Sequence, residues 1–283
     1  YDIGTEEKFY HNFVLGIVLS LSDKYYVKSN RESGYGRYDI LLEPRNKKET
    51  AFILEFKVGK NENEWEQELK ELQDTSFDGL EWRADYSESP YSITAGKKAI
   101  SFFKTQTDKP ILVTLRTQKE GGQVVFEKEK YSSFFKHMLE QSVSSIDIEW
   151  VLPLEITHSL LQQAKEKNCK VILSFHDMEH TPSAEKLVAI WKDMYVRGAS
   201  VGKIACMARS KEDVHQMLYA LLRTKKEIPN FPVVGISMGE IGKVTRLIGS
   251  LFDTPFTFVS GKNASAFGQL TVKEMEKYNS LFY

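Results

Sequence analysis

Short apolar runs alternate with longer stretches of helical periodicity along most of this chain. The apolar runs cover residues 52–58, 79–84, 111–117, 145–150, 170–175, 200–207, 233–238 and 256–260. Between them, apolar residues recur at spacings of three and four in segments such as 63–72, 131–141, 154–167, 184–194, 211–223 and 241–247. Strands that alternate with amphipathic helices argue for the α/β class and a parallel sheet. Eight such strands predict a closed (β/α)8 barrel over residues 51–283, with residues 1–50 as an α+β appendage. An open doubly wound sheet is the alternative. It would more naturally carry a glycine-rich phosphate turn after its first strand, and Val58-Gly59-Lys60-Asn61 is not one.

In a barrel of this kind, functional side chains gather at the carboxyl ends of the strands. Polar residues stand there in this chain: Glu81, Arg83, Arg116, Asp147, Glu149, His176, Lys203 and Ser237. Lys203 is the most informative of them, because it lies inside the apolar run Ser200-Val201-Gly202-Lys203-Ile204-Ala205-Cys206-Met207. Burial disfavours the charged form of an amine and frees it to act as a nucleophile toward a ketone. Taken singly, such a residue reads as an ion-paired or snorkelling lysine at a strand end. His176 closes the preceding run and supplies a candidate general base.

Composition narrows the classes. With 38 basic and 39 acidic residues, the chain has no overall positive field, so nucleic-acid binding across the surface is not expected. Cys169 and Cys206 both fall in apolar surroundings and read as packed thiols of a reducing, cytoplasmic protein. No apolar run reaches the ~18 residues of a membrane-spanning helix, and no leader pattern is present at Tyr1.

Seven blocks in order carry a resemblance. They are Leu80-Glu81-Trp82-Arg83-Ala84-Asp85; Leu115-Arg116-Thr117 with Glu120-Gly121-Gly122; Ile146-Asp147-Ile148-Glu149; and Ser174-Phe175-His176-Asp177-Met178-Glu179 with Thr181-Pro182. Val201-Gly202-Lys203-Ile204-Ala205, Ser237-Met238-Gly239 with Thr245-Arg246, and Ser265-Ala266-Phe267-Gly268-Gln269 complete the set. From about Val58 onward the chain resembles type I 3-dehydroquinate dehydratase, a TIM-barrel lyase of the shikimate pathway. The resemblance implies dehydration of 3-dehydroquinate to 3-dehydroshikimate through an imine on Lys203. It assigns proton transfer to His176 and its orientation to Glu120. Glu81, Arg83 and Arg116 would hold the ring hydroxyls, Asp147 would stand near the imine-forming amine, Arg246 would hold the substrate carboxylate, and Ser265 and Gln269 would lie on a closing loop. It further implies no cofactor, no metal in the barrel, and a homodimer. Phe267 stands where the family usually has proline, which predicts a looser loop.

The first 57 residues do not fit that family. Glu7 through Phe13, Ser29 through Ile40 and Ile53-Leu54-Glu55-Phe56-Lys57 resemble part of a PD-(D/E)xK nuclease-like domain found behind certain bacterial AAA-type ATPases. There Asp39 and Glu55 would bind a divalent metal and Lys57 would polarise phosphate or water. That core needs a helix and strand after Lys57, where the chain already reads as the barrel's first helix. No working nuclease is therefore expected, and a catalytically impaired barrel remains the other alternative to the lyase.

Overall fold

The computed structural model describes residues 25–33, 36–44, 51–56, 62–71, 77–261 and 268–282. The chain divides into two units, residues 1–49 with 274–283, and residues 50–273. In the first, β1 (Tyr25–Ser33) and β2 (Gly36–Pro44) form an antiparallel hairpin, in register from Tyr25 with Pro44 to Ser33 with Gly36.

The second unit is a parallel (β/α) sheet. Its strands are β3 (Ala51–Phe56), β4 (Gly79–Arg83), β5 (Ile111–Thr114), β6 (Ser145–Glu149), β7 (Lys170–Asp177), β8 (Val201–Met207), β9 (Val233–Met238) and β10 (Phe256–Val259). They hydrogen-bond in the order β10-β3-β4-β5-β6-β7-β8-β9, so the last strand in sequence pairs with the first, as in a TIM-barrel-like curled sheet, while among the described residues no ladder joins β9 to β10 and the expected closure is not completed by hydrogen bonds. The expected eight apolar runs are thus the eight strands. β3 pairs on one side with β10 and on the other with β4, which commits the Glu55 segment's backbone to this sheet.

Helices α1 (Glu62–Glu71), α2 (Ile93–Gln106), α3 (Lys128–Leu139), α4 (Leu154–Glu166), α5 (Ala184–Val196) and α6 (Lys211–Glu227) separate the strands, followed by the short α7 (Val244–Leu247) and by α8 (Val272–Phe282). Strands β4, β5 and β9 are buried along their whole length, because a parallel sheet faces helices on one side and its own interior on the other. α2 was not among the segments named from periodicity. Ser92 caps it by accepting a hydrogen bond from the Ala95 amide, and it buries Gly96, Ala99, Ile100 and Phe103. Gly96 brings its backbone against Met138 of α3: a Cβ there would lie 2.7 Å from the Met138 Cε.

The interior is layered. Leu112, Ile172, Val201, Val234 and Phe258 belong to one apolar cluster, and in β8 the inward positions run Val201, Lys203, Ala205. Parallel register sets Ser174 beside Lys203, and Lys203 beside Val234. Two strand ends differ from the apolar pattern. β5 stops at Thr114 where the run continues to Thr117, because the Thr117 amide is taken by the Glu149 carboxylate. β7 runs on to Asp177, paired with Cys206 of β8.

Candidate active site

The Lys203 amine is buried and makes two contacts among the described residues. Its Nζ lies 3.3 Å from Oδ2 of Asp147 and 3.9 Å from the centroid of the Phe258 ring. Asp147 Oδ1 accepts from Arg116 Nη2 at 2.8 Å and from the Ser174 hydroxyl at 2.5 Å. Burial pushes the Asp147 carboxyl up, but the Arg116 and Lys203 charges and these hydrogen bonds outweigh it and hold it below its ordinary value.

Arg116 is the hub of this network. Besides Asp147, its Nη1 donates to Ser174 Oγ at 2.7 Å and to Glu120 Oε2 at 3.4 Å, and it lies 3.8 Å from Glu149 Oε1. Burial works against its charge, yet the three carboxylates together raise its pKa. Glu149 in turn accepts the Thr117 amide at 2.6 Å and the Thr117 hydroxyl at 2.8 Å. That clamp starts the 3-10 turn Gln118–Glu120, which ends on Gly121 in the left-handed region at φ 80°.

The turn delivers Glu120 to His176. Oε2 of Glu120 lies 2.9 Å from Nδ1 of His176, while Oε1 is buried without a hydrogen-bond partner among the described residues. Burial lifts the Glu120 carboxyl well above its usual value, Arg116 works against that, and Glu149 and Asp147 add to it. Burial likewise raises Glu149, with Arg116 and Thr117 opposing.

Two further residues from the strand ends have partners that sequence spacing did not indicate. Glu81 accepts the Thr114 hydroxyl at 2.5 Å. Asp85 binds Arg83 in a two-pronged fork, 2.7 Å from Nε and 2.7 Å from Nη2. Arg246, on α7, is buried and reaches the Phe258 carbonyl on β10 at 3.4 Å, linking the segment after β9 to β10, the strand at the other end of the hydrogen-bonded order. Gln269 is buried beside Gly268, whose own Cβ would lie 2.2 Å from the Gly239 carbonyl oxygen. Ser265 and Phe267 lie outside the described residues, as does Lys57. Asp39 falls in β2 and Glu55 in β3.

One pocket brings these groups together. Glu81, Arg83, Arg116, Glu120, His176, Lys203 and Arg246 form its polar wall, and Ala205, Ile236, Met238, Phe258 and Met178 its apolar surfaces. The cations suit an anionic ligand, the carboxylates its hydroxyls, and the apolar floor a carbon ring. Among the described residues, no group of three His, Cys, Asp or Glu side chains could hold a metal ion. Asp85, Ser174, Thr117, Met178 and Phe258 were not among the candidate site residues, and Glu149 was noted only as a polar strand-end residue with no role attached. Glu149 follows Asp147 by two positions on one strand, and that same-face spacing was the available signal.

Comparison with known proteins gives the same direction. The family model for type I 3-dehydroquinase matches residues 57–283. The chain belongs to the type I 3-dehydroquinase family. It is 34% identical over 212 residues to the 3-dehydroquinate dehydratase of Enterococcus faecalis, covering 74% of this chain and 84% of that protein. It is 36% identical over 223 residues to that of Clostridium kluyveri, covering 78% and 88%. A crystal structure of type I 3-dehydroquinate dehydratase from Clostridium difficile, with covalently modified comenic acid, superposes with a TM-score of 0.78 at 31% identity, over 82% of this chain and 92% of that one. As a family member the chain is a lyase of the 3-dehydroquinate-dehydrating class, as its motifs led one to expect. A model of the PD-(D/E)XK nuclease superfamily also matches residues 5–102, overlapping the first strands and helices of the sheet.

Proposed function

We propose that this chain dehydrates 3-dehydroquinate through an imine on Lys203. The observation that carries the reading is the convergence, in one pocket, of a buried amine, a carboxylate-oriented imidazole and a buried guanidinium, with an apolar floor. The amine attacks the ring ketone, and loss of water gives the imine. The imine withdraws electrons from the adjacent carbon and makes its proton acidic. With Nδ1 held by Glu120, His176 uses Nε2 to take that proton; the imidazolium then gives it to the departing hydroxyl, which leaves as water. Hydrolysis of the product imine restores Lys203.

The surrounding residues divide the remaining work. Asp147 holds the amine, and Arg116, engaged by Asp147, Ser174 and Glu120, serves chiefly as the counter-charge of the acid cluster. Glu81 and Arg83 face the ring hydroxyls, Arg246 takes the carboxylate, and Ser265 and Gln269 close over it. The same reading sets residues 1–50 apart as an appended segment and treats the enzyme as a cytoplasmic homodimer. The cytoplasmic part is supported by two buried free thiols and by the absence, among the described residues, of a helix long and apolar enough to cross a membrane.

Borohydride reduction in the presence of 3-dehydroquinate tests the reading. A substrate-sized adduct mapped to Lys203, absent in Lys203→Ala, is expected. Folded protein that traps no adduct would refute it.

A further inference from the structure

The chain contains seven methionines. Met138, Met194, Met217, Met238 and Met275 are buried and Met207 is partly so, whereas Met178 is 36% exposed. Its position is also singular. It follows His176 by two residues, and its thioether packs on Gly121, which follows Glu120: a Cβ on Gly121 would lie 2.8 Å from the Met178 sulfur and 3.0 Å from its methyl carbon. The turn that carries Glu120 and the segment that follows His176 at the end of β7 therefore meet through the Met178 side chain as well as through the pair itself. Gly121, at φ 80°, leaves the space that the thioether fills. Both residues line the pocket with the pair they flank.

We infer that Met178 is a positioning residue for the Glu120–His176 pair and the site at which peroxide oxidation impairs the enzyme. The sulfur lone pair attacks one peroxide oxygen, the O–O bond breaks, and the second oxygen leaves as water. Sulfur loses two electrons and becomes the sulfoxide, and peroxide is reduced. An apolar contact then becomes a strong dipole that must be hydrated or hydrogen-bonded. Seated between Gly121 and the pocket, it loosens the turn that carries Glu120 and disturbs the orientation of the His176 ring. The thiols do not compete. Cys169 and Cys206 are buried, burial pushes the Cys169 thiol up to about 12 and the Cys206 thiol higher still, and the thiolate is the form that attacks peroxide.

This inference rests on the proposed roles of Glu120 and His176, and its test separates the two. The full chain is treated with hydrogen peroxide, methionine sulfoxide is located by peptide mapping, and kcat and KM are measured before and after. Sulfoxide is expected first at Met178, with kcat falling roughly tenfold, part of the 10²–10⁴ that a well-placed base supplies. KM is expected to change less, and methionine sulfoxide reductase with dithiol to restore the rate. Met178→Leu, compared with its own untreated rate, is expected to keep its activity through the same treatment. Oxidation spread evenly over other methionines, full activity with Met178 oxidised, or equal loss in Met178→Leu would each overturn it. Failure of the untreated chain to turn over substrate would instead count against the proposed function, while the peptide map still reports on Met178.

Discussion

Gly122→Ala is the sharpest test of how the site is assembled. Gly122 closes the loop that carries Glu120: its amide donates to the Thr117 carbonyl at 2.8 Å. A Cβ at Gly122 would lie 2.1 Å from the Arg116 carbonyl oxygen and 2.4 Å from its carbonyl carbon. Those are backbone atoms of a buried segment, so no rotamer change relieves the overlap. Reaching an ordinary contact of 3.4 Å requires about 1.3 Å of movement. Transferred to Glu120, that movement stretches the 2.9 Å contact with His176 Nδ1 beyond hydrogen-bonding range. A misplacement of this size costs about 10²-fold in rate, or about 2.7 kcal/mol of transition-state stabilisation. Steady-state dehydration, followed by the absorbance of the conjugated enone product, should show the loss in kcat, with circular dichroism unchanged. Gly198→Ala is the control. Gly198 has φ 89° and nothing within 4 Å of the added carbon, so the substitution strains the backbone by about 1–2 kcal/mol but leaves kcat alone. A Gly122→Ala enzyme within about twofold of the parent, under about half a kcal/mol, would refute the argument, as would an equal loss in Gly198→Ala.

Two neighbouring carboxylates should respond to pH with opposite signs. Asp147 is held below its unfolded value, so its ion contributes stability above that value which is lost as pH falls through the folded pKa; Asp147→Asn should cost about 3–5 kcal/mol near neutrality, a deficit that closes in acid. Glu149 is raised, so the stability it contributes is present below its unfolded value and is lost as pH rises through the folded pKa; the gap between parent and Glu149→Gln should therefore narrow toward higher pH. Urea unfolding midpoints across that range check both, and parallel curves for the two variants would sink the assignment. Arg246→Lys keeps the charge but loses the planar fork; KM should rise roughly tenfold with kcat changed less, and an unchanged KM would remove Arg246 from carboxylate binding. Trp191 is buried and donates its indole N–H to the Gly202 carbonyl at 3.1 Å, so Trp191→Ala should destabilise by about 3–5 kcal/mol in thermal unfolding.

Much of the sheet was legible because burial on both faces leaves near-continuous apolar runs, and all eight of them formed strands. α2 was harder to read: its core face uses Gly96 and Ala99, small residues that contribute little to periodicity, and Gly96 matters because Met138 approaches it. Within the site, Lys203, His176, Glu120 and Asp147 could be named from motif order, and the chain places them in one network. The partner of Arg83 could not be chosen from spacing, since Glu81 and Asp85 both stand two positions away and only the turn after β4 brings Asp85 to it.

What the sequence by itself determined is the alternation of strands and helices, the identity of the chemical groups, and the family to which their order belongs. These follow from local patterning and residue type, which a linear chain carries directly. What only the tertiary structure decided is which charges share a partner: Arg116 against Asp147, Glu120 and Glu149, Asp147 against Lys203, and Met178 over Gly121. Those contacts join residues on different strands and loops. Their strength depends on burial and on distances of a few ångströms, quantities that exist only once the sheet has curled and brought its strand ends together.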